Sequence, residues 1–161
     1  MIYVTSDLHG CSVTELEFLL AKADFCGEDF LYILGDVIDR GEHGAELLLW
    51  LTQQSNVQLI LGNHESMLLS CRFLFDPVTE ESLNALTVER LELMNNWIAN
   101  GGMPTLNGLR RILKNTPDLT EGILDYLYDT PTYDKITVGG RNFVLVHAGI
   151  SNFTEEKNLE E

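Results

Sequence analysis

Residues 30–36, Phe30-Leu31-Tyr32-Ile33-Leu34-Gly35-Asp36, join a short hydrophobic run to a glycine turn and a carboxylate. A run of this length, rich in β-branched and aromatic residues, predicts a buried β-strand. Three further runs also end in a residue that can bind a metal: residues 2–6 before Asp7, residues 57–62 before Asn63, and residues 143–146 before His147. Parallel strands of an open α/β sheet deliver their carboxyl ends to one crevice. The four polar residues are therefore expected to lie together.

The spacing of the first three runs predicts an α/β fold. Ser12 and Glu15 form a capping-box pattern at the start of a first helix. A second helix is expected over about residues 42–54, and a third begins near His64. Strands and helices that alternate in this way imply a parallel sheet. The length of 161 residues predicts a single domain that spans residues 1–161.

The second half of the chain changes character. Periodic leucines, Trp97 and a Gly101-Gly102 break predict two to four helices over about residues 76–129, as a helical insertion or cap. Strands return at about residues 135–138 and 141–146, and Gly139-Gly140 between them indicates a hairpin. The predicted order is therefore β-α-β-α-β, then helices, then strands.

The residues at the strand ends have the donor types of a metal centre. Two aspartates, one asparagine and two histidines offer oxygen and nitrogen ligands that suit a pair of divalent metals: Asp7, His9, Asp36, Asn63 and His147. A carboxylate at position 36 can give one oxygen to each metal. An asparagine carbonyl is a sound ligand for a hard metal and adds no charge.

Three neighbouring residues are predicted to act on the substrate rather than on the metals. His64 follows Asn63 directly, so its ring is expected to lie beside the metals and to donate a proton to a leaving group. Asp39 is the candidate that orients the ring, and Arg40 can clamp two phosphoryl oxygens with its planar guanidinium. Glu65 is expected to hold a supporting hydrogen bond or to cap a helix.

An ordinary structural role is open for some of these residues. Asp7, Asp36 and Asn63 are all residue types that commonly cap helices after strands. Helix capping does not explain why His9, His64, Arg40 and His147 stand at matching places, so the set as a whole favours the metal centre.

Charge and hydropathy exclude several classes of partner. Ten basic and 25 acidic side chains give a formal charge of −15, which opposes binding to nucleic acid or anionic lipid. No apolar run approaches the roughly 20 residues that a membrane span needs. No basic segment precedes the first strand, so no signal peptide is predicted and a cytoplasmic location is expected.

Three motifs in this order resemble the calcineurin-like metallophosphoesterase superfamily, and specifically its serine/threonine phosphoprotein phosphatase branch with the small bacterial and phage enzymes. They are Asp7-Leu8-His9-Gly10, then Gly35-Asp36-Val37-Ile38-Asp39-Arg40-Gly41, then Gly62-Asn63-His64-Glu65. The resemblance covers essentially the whole chain. It implies a β-sandwich flanked by helices.

The resemblance also implies roles for the site residues. Asp7 and His9 would hold one metal, Asn63 and His147 the other, and Asp36 would bridge them. Arg40, Asn63 and His64 would bind the substrate, with Arg40 on the phosphoryl group. His64, oriented by Asp39, would also be the general acid. The implied reaction is direct attack on phosphorus by a hydroxide that bridges the metals. The cofactors would be two divalent metal ions, with manganese first and iron, zinc or nickel also compatible.

One departure from the family pattern lies near the end of the sequence. The family carries a further metal-binding histidine, and usually a further phosphate-binding arginine, downstream of the segment that contains His147. Neither is present before Glu161. The expectation is that the family domain is incomplete at its C-terminus and that its last strands are absent, as in a piece of a longer protein. If the chain ends at Glu161, the second metal is expected to be weakly held.

Three functions remain open from the sequence. The first is a phosphomonoesterase that hydrolyses phosphoserine or phosphothreonine in proteins, or a small phosphoester. The second is a diadenosine-polyphosphate hydrolase, which shares the fold and most of the site. Glu65 after Gly62-Asn63-His64, together with Asp39-Arg40-Gly41, favours the first. The third is a non-catalytic module for metal or phosphate, if the chain ends at Glu161.

Overall fold

Three parallel strands form the central sheet of the protein. The computed structural model describes residues 1–149, and it places β1 (Ile2–Thr5), β2 (Phe30–Leu34) and β3 (Val57–Ile60) in the order β1-β2-β3. Ile2 pairs with Phe30 and Leu31 pairs with Val57, so the three strands run in register with their carboxyl ends at the same edge. The predicted α/β fold is confirmed.

A helix follows each of these strands: α1 (Val13–Lys22), α2 (Gly44–Leu51) and α3 (Asn63–Ser70). The predicted capping box is present, because the Ser12 amide donates to Glu15 Oε2 at 2.8 Å and the Glu15 amide donates to Ser12 Oγ at 3.2 Å. Helix α2 is shorter than the predicted 42–54. At its start, the His43 amide donates to the Gly10 carbonyl, and at its end the Gln54 amide donates to the Leu51 carbonyl in a tighter turn.

Four helices make up the predicted helical segment: α4 (Glu80–Asn84), α5 (Val88–Ala99), α6 (Met103–Asn115) and α7 (Pro117–Tyr128). A 3-10 turn at Arg72–Phe75 precedes them. They continue the main hydrophobic core, since Trp97, Leu109 and Leu127 lie in the same buried cluster as Ile33 and Leu59 of the sheet. The segment therefore packs against the sheet and its helices and does not stand apart as a cap.

The opposite face of the sheet is covered by a hairpin of β4 (Tyr133–Val138) and β5 (Arg141–Val146). Gly139 and Gly140 form its turn with φ values of 57° and 74°, which is the backbone of a type I′ turn. Leu145 of the hairpin packs against Tyr32 and Ile60 of the sheet. Strand β2 consequently buries side chains on both faces, which explains its continuous hydrophobic run.

Within residues 1–149, no helix has both the length and the apolar character that crossing a membrane requires.

Candidate metal centre

The candidate site lies at the carboxyl ends of the parallel strands, where the loops after β1 and β2 are joined by backbone hydrogen bonds. The Asp7 amide donates to the Gly35 carbonyl at 3.2 Å, and the His9 amide donates to the Asp36 carbonyl at 2.9 Å. These bonds continue the β1–β2 ladder beyond the strands. Both loops are thereby fixed relative to each other.

Backbone strain is concentrated in the same loops. Of the six non-glycine residues with positive φ between residues 1 and 149, five belong to the site motifs: Asp7 (55°), His9 (42°), Asp36 (54°), Asp39 (70°) and Arg40 (66°). A non-glycine residue in this region costs about 1–3 kcal/mol and persists only where its surroundings over-determine it. The fold therefore stabilises a loop geometry that the isolated segments would not keep.

Asp36 is the centre of the arrangement, because its two carboxylate oxygens face different histidines. Oδ2 lies 3.8 Å from His9 Nε2, and Oδ1 lies 3.4 Å from His147 Nε2. The residue is only 5% exposed. Within residues 1–149, the ion-pair neighbours of its carboxylate are histidines, with no lysine or arginine among them. A buried carboxylate that lacks a basic partner is well placed to receive cations.

The first side of the centre consists of Asp7 and His9. His9 Nδ1 lies 3.2 Å from the Ile38 carbonyl, and a carbonyl can only accept, so Nδ1 carries the proton and Nε2 faces the site. His9 Nε2 lies 3.9 Å from Asp7 Oδ1. A hydrogen bond from Ser6 holds the pKa of Asp7 below its usual value, and nearby His147, His9 and Arg40 lower it further against the opposing effect of burial.

The second side consists of Asn63 and His147. His147 Nδ1 lies 2.7 Å from the Leu34 carbonyl, which again places the proton on Nδ1 and a lone pair on Nε2. That Nε2 atom lies 3.0 Å from Asn63 Oδ1, which is also an acceptor. Two acceptors at this distance repel each other unless a cation or a proton lies between them.

These observations test whether the residues fit divalent metal ions. A buried carboxylate without a basic partner, two histidines whose Nε2 atoms face it, and an amide oxygen against a ring lone pair all suit a cation. Nitrogen and oxygen donors of this kind are compatible with manganese, iron, zinc or nickel. Asp7 and His9 could hold an ion on one side of Asp36, and Asn63 and His147 could hold one on the other.

His64 and Asp39 form a buried pair beside these donors. His64 Nδ1 lies 2.7 Å from Asp39 Oδ2, and the two residues are 1% and 0% exposed. The Arg40 guanidinium lies on the other edge of the ring, with Nη2 at 3.4 Å from His64 Nε2. Arg40 itself is exposed. The Asp39 carboxylate therefore holds one edge of the ring, and the other edge, with Nε2, faces the Arg40 guanidinium.

The distances between donor atoms, taken alone, select a different set of metal ligands from the one that the sequence predicts. His9, Asp36 and His64 offer ligand atoms that all lie within 4.8 Å of one another, so this trio could hold a metal ion. The position of Arg40 argues against His64 as a ligand, since a guanidinium next to Nε2 repels a cation there. The structure thus brings the sequence-predicted residues together, and their separate roles stay predictions.

Glu65 stabilises the backbone of the site through hydrogen bonds from four amides. Its Oε2 accepts from the Asp36 and Gly62 amides at 2.9 and 3.0 Å, and its Oε1 accepts from the Val37 and Ile38 amides at 2.8 and 3.3 Å. Burial raises the pKa of Glu65, and the backbone donors counteract this rise. Glu65 holds the left-handed turn at Asp36, and it caps the start of α3 by accepting from the Gly62 amide, so both expected roles are present.

Three contacts from the helical segment were not predicted. Trp97 Nε1 donates to Asp39 Oδ2 at 2.8 Å, the Asp39 amide donates to Thr105 Oγ1 at 2.9 Å, and the Arg40 amide donates to the Gly101 carbonyl at 2.9 Å. The sequence pattern indicates only that Trp97 belongs to the helical segment. The Gly101-Gly102 pair was a visible signal of a tight approach, but it was interpreted as a break between helices.

The chain is similar to known proteins over its whole length. A family model described as calcineurin-like phosphoesterase matches residues 1–161. Proteins of Actinobacillus succinogenes and Haemophilus ducreyi, each named "Bis(5'-nucleosyl)-tetraphosphatase, symmetrical", are 33% and 32% identical over 92% of this chain. A protein of the same name from Acidovorax ebreus is 29% identical over 98% of it. The alignments cover 44%, 45% and 47% of these relatives, so this chain spans less than half of their length.

Proposed function

Because this chain belongs to the calcineurin-like phosphoesterase family, we propose that it is a metal-dependent hydrolase of bis(5'-nucleosyl) polyphosphates such as diadenosine tetraphosphate. The observation that carries the proposal is the likeness, over 92% to 98% of the chain, to relatives that bear the name of this activity. In the proposed reaction, water is added across the central P–O–P bond. The products are two nucleoside diphosphates.

Arg40 is the proposed anchor for the phosphate chain. Its guanidinium is exposed, lies beside His64, and forms no ion pair with any carboxylate of residues 1–149. A free planar guanidinium can donate to two oxygens of one phosphoryl group. Asn63 and His64, at the start of α3, border the same position and complete the proposed substrate-binding set.

His64 is the proposed proton donor to the leaving group. Asp39 accepts from Nδ1, so the ring stays oriented, while Nε2 faces the Arg40 guanidinium. Two divalent ions, with manganese first among the compatible metals, would polarise the phosphoryl oxygens, lower the pKa of an attacking water and offset part of the charge of −15.

The phosphoprotein phosphatase interpretation has less support. Two of the residues that favoured it, Asp39 and Glu65, are both 0% exposed and lie behind the site. Their side chains meet backbone amides, a histidine and a tryptophan, so they cannot contact a substrate and do not distinguish one phosphoester from another. The relatives named above favour the nucleotide substrate instead.

The test is a comparison of substrates on the chain as it exists, with Mn²⁺ and with Zn²⁺ or Ni²⁺ in parallel. Diadenosine tetraphosphate, a phosphoserine peptide and p-nitrophenyl phosphate are supplied at equal concentrations, and products are separated by ion-exchange chromatography. We expect the highest kcat/KM for the tetraphosphate, with ADP as the product. A higher kcat/KM for the phosphopeptide would contradict the proposal.

Two variants separate catalysis from simple binding. Asp36→Asn should weaken Mn²⁺ binding in calorimetry and abolish turnover, whereas Asp24→Asn, at an exposed residue that also has positive φ, should change neither. His64→Asn should keep metal binding and lose turnover. Retention of full turnover by His64→Asn would contradict the role of this ring as the proton donor, whereas Mn²⁺ binding without turnover in the wild type would favour the non-catalytic metal- or phosphate-binding module.

A further inference from the structure

Residues 97–105, the corner between α5 and α6, form three hydrogen bonds with Asp39 and Arg40 of the loop after β2. Trp97 donates to the Asp39 side chain, Thr105 accepts from the Asp39 amide, and Gly101 accepts from the Arg40 amide. Asp39 and Arg40 are consecutive residues with φ of 70° and 66°. Two adjacent left-handed residues need support from outside the loop, and this corner provides it.

Trp97 contributes to this support with a side chain that has little freedom. Its indole is 0% exposed, and Gly102 packs directly on it, since a Cβ on Gly102 would lie 2.5 Å from indole atoms. The Gly102 amide also donates to the Trp97 carbonyl at 3.0 Å. The indole N–H therefore points to Asp39 from a fixed position.

The Asp39 carboxylate is held in one orientation by this N–H. Its Oδ2 accepts from both Trp97 Nε1, at 2.8 Å, and His64 Nδ1, at 2.7 Å. The other oxygen, Oδ1, is buried and has no hydrogen-bond partner among residues 1–149. A carboxylate bonded only to His64 could rotate about its Cβ–Cγ bond and present either oxygen. The second donor on Oδ2 removes that freedom.

We propose that Trp97 is a positioning residue for phosphoester hydrolysis, which acts through Asp39 to fix the ring of His64. The indole N–H sets the carboxylate, and the carboxylate accepts the proton of Nδ1. The opposite edge of the ring, from which a proton on Nε2 would pass to the leaving group, is thereby turned toward the departing oxygen. This proposal rests on the proposed role of His64 as the proton donor.

The kinetic test uses two phosphate monoesters that differ in their need for a proton. Phenoxide is a more basic leaving group than p-nitrophenoxide, so a general acid matters more for phenyl phosphate. Trp97→Phe keeps an aromatic ring and loses the N–H. We expect kcat on phenyl phosphate to fall by about 10- to 100-fold, within the range of a general-acid contribution. On p-nitrophenyl phosphate, kcat should fall much less, and KM should stay close to the wild-type value for both esters.

Trp50→Phe is the matched control. Trp50 lies in α2, packs against the same hydrophobic core and has no hydrogen bond from its indole among residues 1–149, so kcat on both esters should match the wild type. Equal losses on the two esters in Trp97→Phe would indicate general damage to the fold and would overturn the proposal. So would wild-type kinetics. If His64→Asn itself shows no leaving-group dependence, the assignment of the proton donor fails instead.

A spectroscopic readout on the metal-free protein is independent of turnover. Nitrogen-15 NMR should find His64 with its proton on Nδ1 in the wild type and in Trp50→Phe, and a mixture of tautomers in Trp97→Phe. If Trp97→Phe does not fold, Asp39→Asn should move the indole N–H signal of Trp97 and leave that of Trp50 in place. If the neutral ring of His64 carried its proton on Nε2 in the wild type, the proposal would be refuted.

Discussion

Replacement of Glu65 by glutamine tests how the site is supported. The carboxylate accepts four backbone N–H groups, two on each oxygen, from Asp36, Val37, Ile38 and Gly62. Glutamine has one oxygen and one NH₂ group. Two of the four backbone donors would therefore face another donor, inside a region where Glu65 is 0% exposed.

The expected loss of stability follows from those two donors. A buried donor that loses its acceptor costs about 1–3 kcal/mol, which gives about 2–6 kcal/mol for two. The neutral amide avoids the desolvation of a buried charge, which offsets part of this loss. We expect Glu65→Gln to lower the free energy of unfolding by about 2–4 kcal/mol, a large part of the 5–15 kcal/mol that is typical of a domain.

The assay is urea denaturation at pH 7 in the presence of a chelator, so that metal binding does not add to stability. Glu17→Gln, at an exposed position of α1, is the control and should change the free energy by less than about 0.5 kcal/mol. A change below about 0.5 kcal/mol in Glu65→Gln would show that the four backbone bonds do not stabilise the fold as expected. A second arm uses Glu65→Asp, which should lose stability without any change in the ratio of kcat/KM values between diadenosine tetraphosphate and phosphopeptide.

Three further predictions concern the scaffold. Gly108→Ala should lower the Tm, since its Cβ would lie 2.7 Å from a side chain of α2. A Cβ on exposed Gly122 would meet no neighbouring group within 4 Å, so Gly122→Ala should raise the Tm, and Tm shifts of the same sign in both variants would contradict this. Tyr32→Phe should lose about 1 kcal/mol in urea denaturation, because the hydroxyl donates to Asp134 at 2.8 Å. Burial and that carboxylate raise the pKa of Tyr32 to about 12, so the variant should also lack one late step in an alkaline absorbance titration. The N-terminal ammonium and a backbone N–H lower the pKa of Asp29 from 3.8 to about 2, so its stabilisation is present above pH 4. The stability difference between wild type and Asp29→Asn should therefore shrink as the pH falls from 4 toward 2, and a constant difference would be inconsistent with this pKa.

Much of the fold was predictable because its signals are local. The run at residues 30–34, the capping box at Ser12 and the Gly139-Gly140 turn depend on neighbouring residues, and all three have the predicted structure. The bounds of α2 were wrong by two residues at its start and three at its end. The position at which α2 begins depends on a hydrogen bond from the His43 amide to the Gly10 carbonyl in the loop after β1. No local sequence pattern reveals this contact.

For the site, the donor types that stand at the strand ends follow directly from the order of residues in the chain. Strand length and turn residues then place Asp7, Asp36 and Asn63 at one edge, because parallel strands in register must end together. His147 arrives there from the hairpin, since Gly139 and Gly140 fix its strand pairing. Local composition was sufficient for this much.

The contacts that hold the site in place depend on how distant parts of the chain pack together. The contact of Trp97 with Asp39 joins residues that are 58 positions apart, and it depends on how α5 and α6 pack against the core. The four amides on Glu65 likewise meet it only after the turns at Asp36 and Gly62 have formed. Helix packing and left-handed turns are set by many weak contacts at once, so no single stretch of sequence encodes them.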